Sequence, residues 1–328
     1  MPEREPSVPA DVLTLFGRPL SDVLLLGHSN PDGDQLGSLL GLGLALGDAG
    51  WAVTMAGPDP VPEPLRFLPG SELFRHWLAP KGPFALVVVC DCPNPARTCG
   101  LLEGAAGPAT SVVNIDHHPD NSRYGTVNWV EAGASATGEM VVDLVEALGF
   151  EITPQVATNL FTAIQTDTGS FRYANASAKA FRTAADLVQR GADPALVAGR
   201  LYETRCPESL ALLGRVLQNI QVSQDGLIAW LALPLGSLPE AFLQAEDLVS
   251  YPRSIASVKV GILLRETERG RVKVSLRAKG EVPVNAVAAR FGGGGHPNAA
   301  GCTLENTLEE ATAEVLGAVS AALRSQRR

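Results

Sequence analysis

The sequence predicts an α/β protein: a mostly parallel sheet with helices on both faces, joined by a helical linker to a smaller α/β domain. Three observations point there. Apolar runs of strand length alternate with helical patterns through the first half, and near-continuous apolar strands mark a parallel sheet buried on both faces. Residues 177–220 then read as helices without strands. From 221 the texture changes again, and RVKVSLRAKG (271–280) alternates strictly between apolar and polar, as a strand with one solvated face does.

Taken in order, DVLLLG (22–27) is a short strand that stops at His28, and LLGLGLALGDAG (39–50) follows as a helix. WAVTMAG (51–57), FALVVVCD (84–91) and SVVNID (111–116) are the next strands. ATGEMVVDLVEALG (136–149) and TPQVATNLFTAIQTDTG (153–169) are helical. In such sheets chemistry collects just past the carboxyl ends of the strands. Three more helices follow, at 176–191, 193–205 and 207–220, the last two opened by Pro194 and Pro207, since proline suits the first turn. IAWLALP, SIASVKVGILLRE and RVKVSLRAKG are strand-like, and LEEATAEVLGAVSAALRS closes the chain as a helix. The expected division is a first domain at 1–190, a helical linker at 191–220 and a second domain at 221–328. No internal repeat is evident.

At 328 residues and 45% hydrophobic, the chain can bury two cores. MPEREPSVPA carries acidic residues and prolines where an export signal needs an apolar run. No unbroken apolar stretch of about 18 residues appears, so no membrane span is expected. Five cysteines form no disulfide-like framework. These points give a cytoplasmic expectation. The net charge of −9 is uneven: residues 1–220 carry 14 Lys and Arg against 24 Asp and Glu, and residues 221–328 carry 12 against 11. An acidic chain is a poor binder of long nucleic-acid polymers. Within 253–290, however, nine basic residues face three acidic ones, a stretch able to grip a short anionic ligand.

Four places gather acidic and imidazole side chains. G-H-S-N-P-D-G-D puts His28, Asp32 and Asp34 in one tight loop shaped by Pro31 and Gly33. FALVVVCD ends in Asp91, and SVVNID ends in Asp116 with His117 and His118 directly after it. TAIQTDTGSF offers Asp167 at a helix end. Each alone is weak, since an aspartate after a strand is often a helix cap and a lone histidine is usually a satisfied polar residue. Together they converge on one rim of the sheet, and oxygen and imidazole donors without thiolate suit a hard or borderline divalent ion such as Mn²⁺ or Mg²⁺. So many carboxylates repel unless cations offset them, and a metal pair would form a clamp for phosphoester hydrolysis.

At this point the residues carry a resemblance. H-S-N-P-D-G-D at 28–34, Asp91, D-H-H at 116–118 and T-D-T-G at 166–169 resemble the four motifs of the DHH phosphoesterase superfamily. R-F-G-G-G-G-H-P-N-A-A-G at 290–301 and V-S-L-R at 274–277 resemble its DHH-associated domain. The resemblance implies a catalytic domain holding two Mn²⁺, with Mg²⁺ as the other candidate, and a substrate-binding second domain. His28 and Asp32 would bind one ion, Asp34, His117 and Asp167 the other, and Asp91 would bridge. Asp91 and His118 would act on the substrate, and Asp116 would support His117.

The glycine run has a physical reading of its own. Gly292 to Gly295 let backbone N–H groups approach a phosphate, with His296 as a donor and Arg277, Lys279 and Arg290 in the same basic stretch. The plainer alternative is a flexible turn. Arg277, Gly293, Gly294, Gly295 and His296 are the substrate-binding candidates. G-L-G-L-A-L-G at 41–47 imitates a dinucleotide fingerprint but lies inside an apolar helix, where close packing is the better account. Cys90, Cys92 and Cys99 lack the second C-x-x-C pair of a zinc site, and His76 reads as structural. Within the superfamily, the compact two-domain acidic chain resembles the nanoRNase/pAp phosphatase group. The implied substrates are RNA of two to five nucleotides, other short oligonucleotides and 3′-phosphoadenosine 5′-phosphate (pAp), with the cyclic-di-AMP/pApA phosphodiesterases as the alternative. A homodimer stays open, as does a regulatory nucleotide-binding module without turnover.

Overall fold

The computed structural model describes residues 8–17, 22–79, 82–239, 242, 248–280 and 282–325; the opening MPEREPS lies outside them. The chain divides into two compact units, the first ending at Thr204 and the second beginning at Arg205.

The first unit is built on six parallel strands: β1 (Val23–Leu26), β2 (Val53–Gly57), β3 (Arg75–His76), β4 (Leu86–Cys90), β5 (Ser111–Asp116) and β6 (Val127–Val130), in the order β3-β2-β1-β4-β5-β6. The order runs outward in both directions from the β1/β4 pair, so the switch point of the sheet lies where His28 and Asp91 leave it. Helices α1 (Ala10–Leu15), α2 (Gly33–Asp48), α3 (Leu101–Ala105), α4 (Thr137–Ala147), α5 (Pro154–Asp167), α6 (Ala178–Gln189) and α7 (Pro194–Tyr202) complete the unit. Strand residues alternate between two apolar layers. Val23, Leu25, Val88 and Ile115 pack into the core that holds α2, α4 and α5, while Leu24, Leu26, Val87 and Val89 face Trp77 and Leu101, Leu102 and Ala105 of α3. Burial on both faces is what the unbroken apolar runs demanded. The short strand β6 escaped sequence reading because Trp129 is its one buried residue.

α2 and α5 lie close together because glycines face the contact. A Cβ on Gly37 would sit 2.5 Å from the carbonyl oxygen of Asn159, and one on Gly41 would sit 2.7 Å from Leu160 Cδ2. The 41–47 glycine pattern is therefore a packing feature of α2. His76 lies exposed on the edge strand β3, where its backbone pairs with Gly57.

The second unit carries helix α8 (Pro207–Leu217) and six strands: β7 (Gln221–Val222), β8 (Ile228–Leu233), β9 (Val260–Glu268), β10 (Arg271–Ala278), β11 (Gly294–His296) and β12 (Ala299–Leu304). Their order is β11-β12-β10-β9-β8-β7, antiparallel except for β8 beside β9. Val272, Val274 and Leu276, the apolar half of the alternating strand, pack with Val315 and Val319 of the C-terminal helix Leu308–Ser325. Leu231 and Leu233 pack with Leu213 and Val216 of α8. Among the described residues no helix is long and apolar enough to cross a membrane.

Two glycines of α2 should respond oppositely to alanine. Gly37→Ala must displace backbone and is expected to lower stability by about 1–3 kcal/mol. Gly47→Ala meets nothing within 4 Å and is expected to raise it by about 0.5–1 kcal/mol. Urea denaturation of the two variants checks this.

Candidate metal centre

The candidate ligands sit where strands end and helices begin. His28 follows β1, Asp91 follows β4, His117 and His118 follow β5, Asp32 and Asp34 open α2, and Asp167 ends α5. Two groups result. Donor atoms of His28, Asp32 and Asp91 lie within 4.8 Å of one another, as do those of Asp34, His117 and Asp167. His117 Nε2 ties the groups together: it is 3.5 Å from Asp34 Oδ2, 3.5 Å from Asp91 Oδ1 and 3.7 Å from Asp167 Oδ2. His28 Nε2 stands 3.8 Å from the other oxygen of Asp91. Asp91 thus faces both groups, one oxygen to each. It holds a left-handed backbone (φ 56°) at the strand exit, anchored by its N–H to the Ile115 carbonyl.

Neighbouring groups aim these donors. The N-terminus of α4 meets Asp34: the N–H groups of Thr137 and Gly138 donate to its two oxygens at 2.7 and 2.9 Å, and Ser38 Oγ adds a third bond. Thr137 Oγ1 donates to Asp91 Oδ1 at 3.0 Å. His117 Nδ1 pairs with the Ala134 carbonyl, which places the proton on Nδ1 and presents Nε2 to the carboxylates. Asp32 caps α2 through the Gln35 N–H, and Asn175 Nδ2 reaches Asp167 Oδ2. Arg97 binds the Ser29 segment twice, its carbonyl accepting from Ser29 N–H and its guanidinium reaching His28 Nδ1 and the Ser29 carbonyl.

One expectation is corrected. Asp116 supports His118 rather than His117: its Oδ1 accepts from His118 Nδ1 at 2.7 Å, while His117 takes its bond from the backbone. Alternation along β5 turns the Asp116 carboxylate away from the side on which His117 projects. Sequence reading also missed Thr137, Gly138, Ala134, Arg97, Asn175, Asn114 and Asn121. Asn114 alone left a visible signal, a polar amide inside an apolar strand.

Crowded, buried carboxylates hold on to protons. Burial pushes Asp34 up to about 7, with Asp167 and Asp32 adding to the rise and His117 opposing it. Burial and then Asp34, Asp32, Asp116 and Asp167 lift Asp91 well above the ordinary carboxylate value. Burial and the Arg97 charge lower His28 to about 4, so its ring is neutral. Burial works against a charged His118, yet the bond to Asp116 outweighs it and raises that imidazole.

These residues fit a pair of divalent cations. The donors are carboxylate oxygens and imidazole nitrogens without thiolate. His28 Nε2 is buried and makes no hydrogen bond, an orphan that a cation would satisfy. Atoms each about 2.1 Å from one ion lie roughly 3–3.5 Å apart, close to the spacings around His117 Nε2. Positive charge would also remove the reason for Asp34 and Asp91 to stay protonated.

Comparison with known proteins follows the same lines. The DHH family N-terminal domain matches residues 22–164, and the DHHA1 domain matches residues 243–325. A bifunctional oligoribonuclease and PAP phosphatase NrnA of Thermus thermophilus is 38% identical over 300 residues, 90% of this chain and 89% of its own. The chain belongs to the DHH family. Among solved structures, an exopolyphosphatase-related protein from Bacteroides fragilis superposes with a TM-score of 0.85 at 27% identity, over 97% of each chain. The cyclic-di-AMP phosphodiesterase PdeA of Listeria monocytogenes is more distant, 26% identical over 91% of this chain and 47% of its own.

In the DHHA1 unit, Arg277 of β10 lies opposite Ala299 of β12, which lies opposite His296 of β11. Directly paired residues share a face, so Arg277 and His296 flank one small side chain. Gly293, Gly294 and Gly295 fall at this hairpin. A Cβ on Gly293 would sit 2.1 Å from the Gly301 carbonyl, and Gly295 has φ 128°. These two are glycine because the chain here crowds β12; Gly294 and Gly295 lie in β11, and Gly292 and Gly293 lead into it.

Proton retention gives a signed pH effect. In metal-depleted protein Asp34 holds a proton up to about pH 7 that the unfolded chain has already lost, and Asp91 and His118 are shifted in the same direction. The lowered His28 acts the other way only around and below its unfolded value of 6.5. Stability therefore falls as pH rises through about 7, by roughly 1.4 kcal/mol per pH unit for each proton retained. Thermal unfolding after EDTA treatment is expected to show a lower Tm at pH 8 than at pH 6.5, and added Mn²⁺ to remove the difference. A metal-depleted Tm that rises over this window would contradict the assignment.

Proposed function

We propose that this DHH protein is a Mn²⁺-dependent phosphoesterase that hydrolyses short oligonucleotides of two to five nucleotides and pAp. The observation that carries the reading is the paired donor group around Asp91, in a chain 38% identical over nine-tenths of its length to an oligoribonuclease and PAP phosphatase. A divalent pair at this cluster supplies an acidified water and neutralises charge on the phosphate and the departing oxygen. His28, Asp32, Asp34, Asp91, His117 and Asp167 would hold it, Asp91 turning one oxygen to each donor group. Mn²⁺ is favoured over Mg²⁺ because two imidazoles join the carboxylates.

The protein's own groups then position and polarise. The N-terminus of α4 and Thr137 hold Asp34 and Asp91 in place, so the donors need little rearrangement. His118, protonated on Nδ1 by its bond to Asp116, offers its other ring nitrogen to the phosphate. In the DHHA1 unit Arg277 and His296 take the phosphate or base, with the Gly293–Gly295 backbone beside them. Residues 1–190 would thus serve catalysis, 191–220 would link and 221–328 would hold substrate. The acidic chain and the local basic stretch suit short anions over polymers. Five unpaired cysteines suit a cytoplasmic setting.

Asp91→Ala should leave the fold intact and reduce hydrolysis by more than about a thousandfold; unchanged turnover would remove the metal mechanism. Arg277→Ala or His296→Ala should raise KM roughly tenfold or more with little change in kcat. Comparing kcat/KM on pAp, pApA, cyclic di-AMP and a 5-mer RNA with Mn²⁺ tests the substrate class. The 5-mer and pAp are expected to lead. Activity confined to the cyclic dinucleotide, or rapid digestion of long single-stranded DNA, would replace this reading.

A further inference from the structure

Behind His118 lies a polar network that no step above uses. Asn114, in the middle of β5, is fully buried. Its Nδ2 faces the carbonyls of Val89 and Cys92 at 3.3 and 3.2 Å and the Tyr124 hydroxyl at 3.2 Å. Tyr124 in turn donates to the Cys92 carbonyl. Because the Nδ2 end is fixed by these acceptors, Asn114 Oδ1 points the other way, towards Asn121 Nδ2 at 2.7 Å. Asn121 is oriented just as strictly. Its Oδ1 accepts from the Arg123 N–H at 2.7 Å, so its Nδ2 must be the end that touches both Asn114 Oδ1 and Asp116 Oδ2. One amide NH₂ has two hydrogens, and both are spent. Asp116, itself buried, passes the constraint to His118 Nδ1 through its second oxygen.

We propose that Asn121, oriented by buried Asn114, is the positioning residue that locks the Asp116 carboxylate and through it the His118 ring. The polarity of the chain is unique: backbone carbonyls fix Asn114, Asn114 and Arg123 fix Asn121, and Asn121 fixes Asp116. A carboxylate held at one oxygen can swing about its χ2; one held at both cannot. With Asp116 pinned, His118 carries a proton on Nδ1, and the direction in which Nε2 points is fixed with it. The backbone N–H of Asn121 closes the loop by donating to the His118 carbonyl. No atom of Asn121 needs to meet a metal or the substrate for this role. What the ring does for the reaction rests on the phosphoesterase reading above; the way it is held does not.

Two variants and one spectrum test it. Asn121→Ala removes the clamp, and Asn121→Asp keeps its size while turning an oxygen towards two acceptors. Both are expected to lower kcat on the 5-mer RNA by about ten- to hundredfold, with KM and the Kd for Mn²⁺ within about twofold of wild type. Imidazole ¹⁵N–¹H correlation spectra, assigned by loss in His118→Gln, should show an Nδ1–H on His118 in wild type that weakens or moves in both variants. Wild-type kcat in the variants, or kcat, KM and Kd shifting together, would overturn the proposal. A wild-type spectrum with His118 protonated on Nε2 alone would overturn it without any variant. If wild-type protein hydrolyses none of the substrates, the phosphoesterase reading fails, while the spectrum still decides how the ring is held.

Discussion

Carboxylates that share one buried rim repel each other, and the first unit is arranged around containing that repulsion. Asp34 and Asp91 are almost fully buried, with Asp167 and Asp32 beside them. Without cations, Asp34 and Asp91 hold their protons well above the normal range for their type. The fold answers with donors rather than with lysines: the buried N-terminus of α4 meets Asp34, Thr137 meets Asp91 and Gln35 N–H meets Asp32. Dipoles of this kind hold geometry while leaving room for cations to enter.

That constraint explains why the site falls where it does. A parallel sheet points every strand's carboxyl end the same way, and the switch between β1 and β4 opens a crevice there. Loops from β1, β4 and β5 can therefore each deliver a donor to one place, while α2 and α5, brought together by Gly37 and Gly41, deliver Asp34 and Asp167. Packing far from the rim thus sets the spacing at the rim. The DHHA1 unit follows another logic, a mostly antiparallel sheet with one face packed on the C-terminal helix and Arg277 and His296 in one row on the strands.

Much of this was legible in the residues. The strands 22–27, 84–91 and 111–116 announced themselves because burial on both faces leaves no polar positions to confuse the pattern. His28, Asp32, Asp34, Asp91, His117 and Asp167 stood out as acidic and imidazole groups at the ends of those runs. Their supporting groups did not stand out. Thr137 and Gly138 look like an ordinary helix start, Ala134 acts only through its carbonyl, and Arg97 reads as one cation among many. Asp116 was assigned to the wrong histidine, because adjacency along the chain says nothing about which side of the strand each side chain leaves.

By itself, the sequence determined the α/β class, the apolar strands, the metal-type donor set and the basic stretch of the second unit, since residue type and periodicity carry those directly. Only the tertiary structure decided which donors share an atom's reach, that Asp91 turns one oxygen to each group, that α4 caps Asp34, and that Asn114 and Asn121 stand behind His118. These are relations between residues up to about a hundred positions apart, such as Gly138 and Asp34. They come from how helices and strands pack, and no local pattern encodes a distance across the fold.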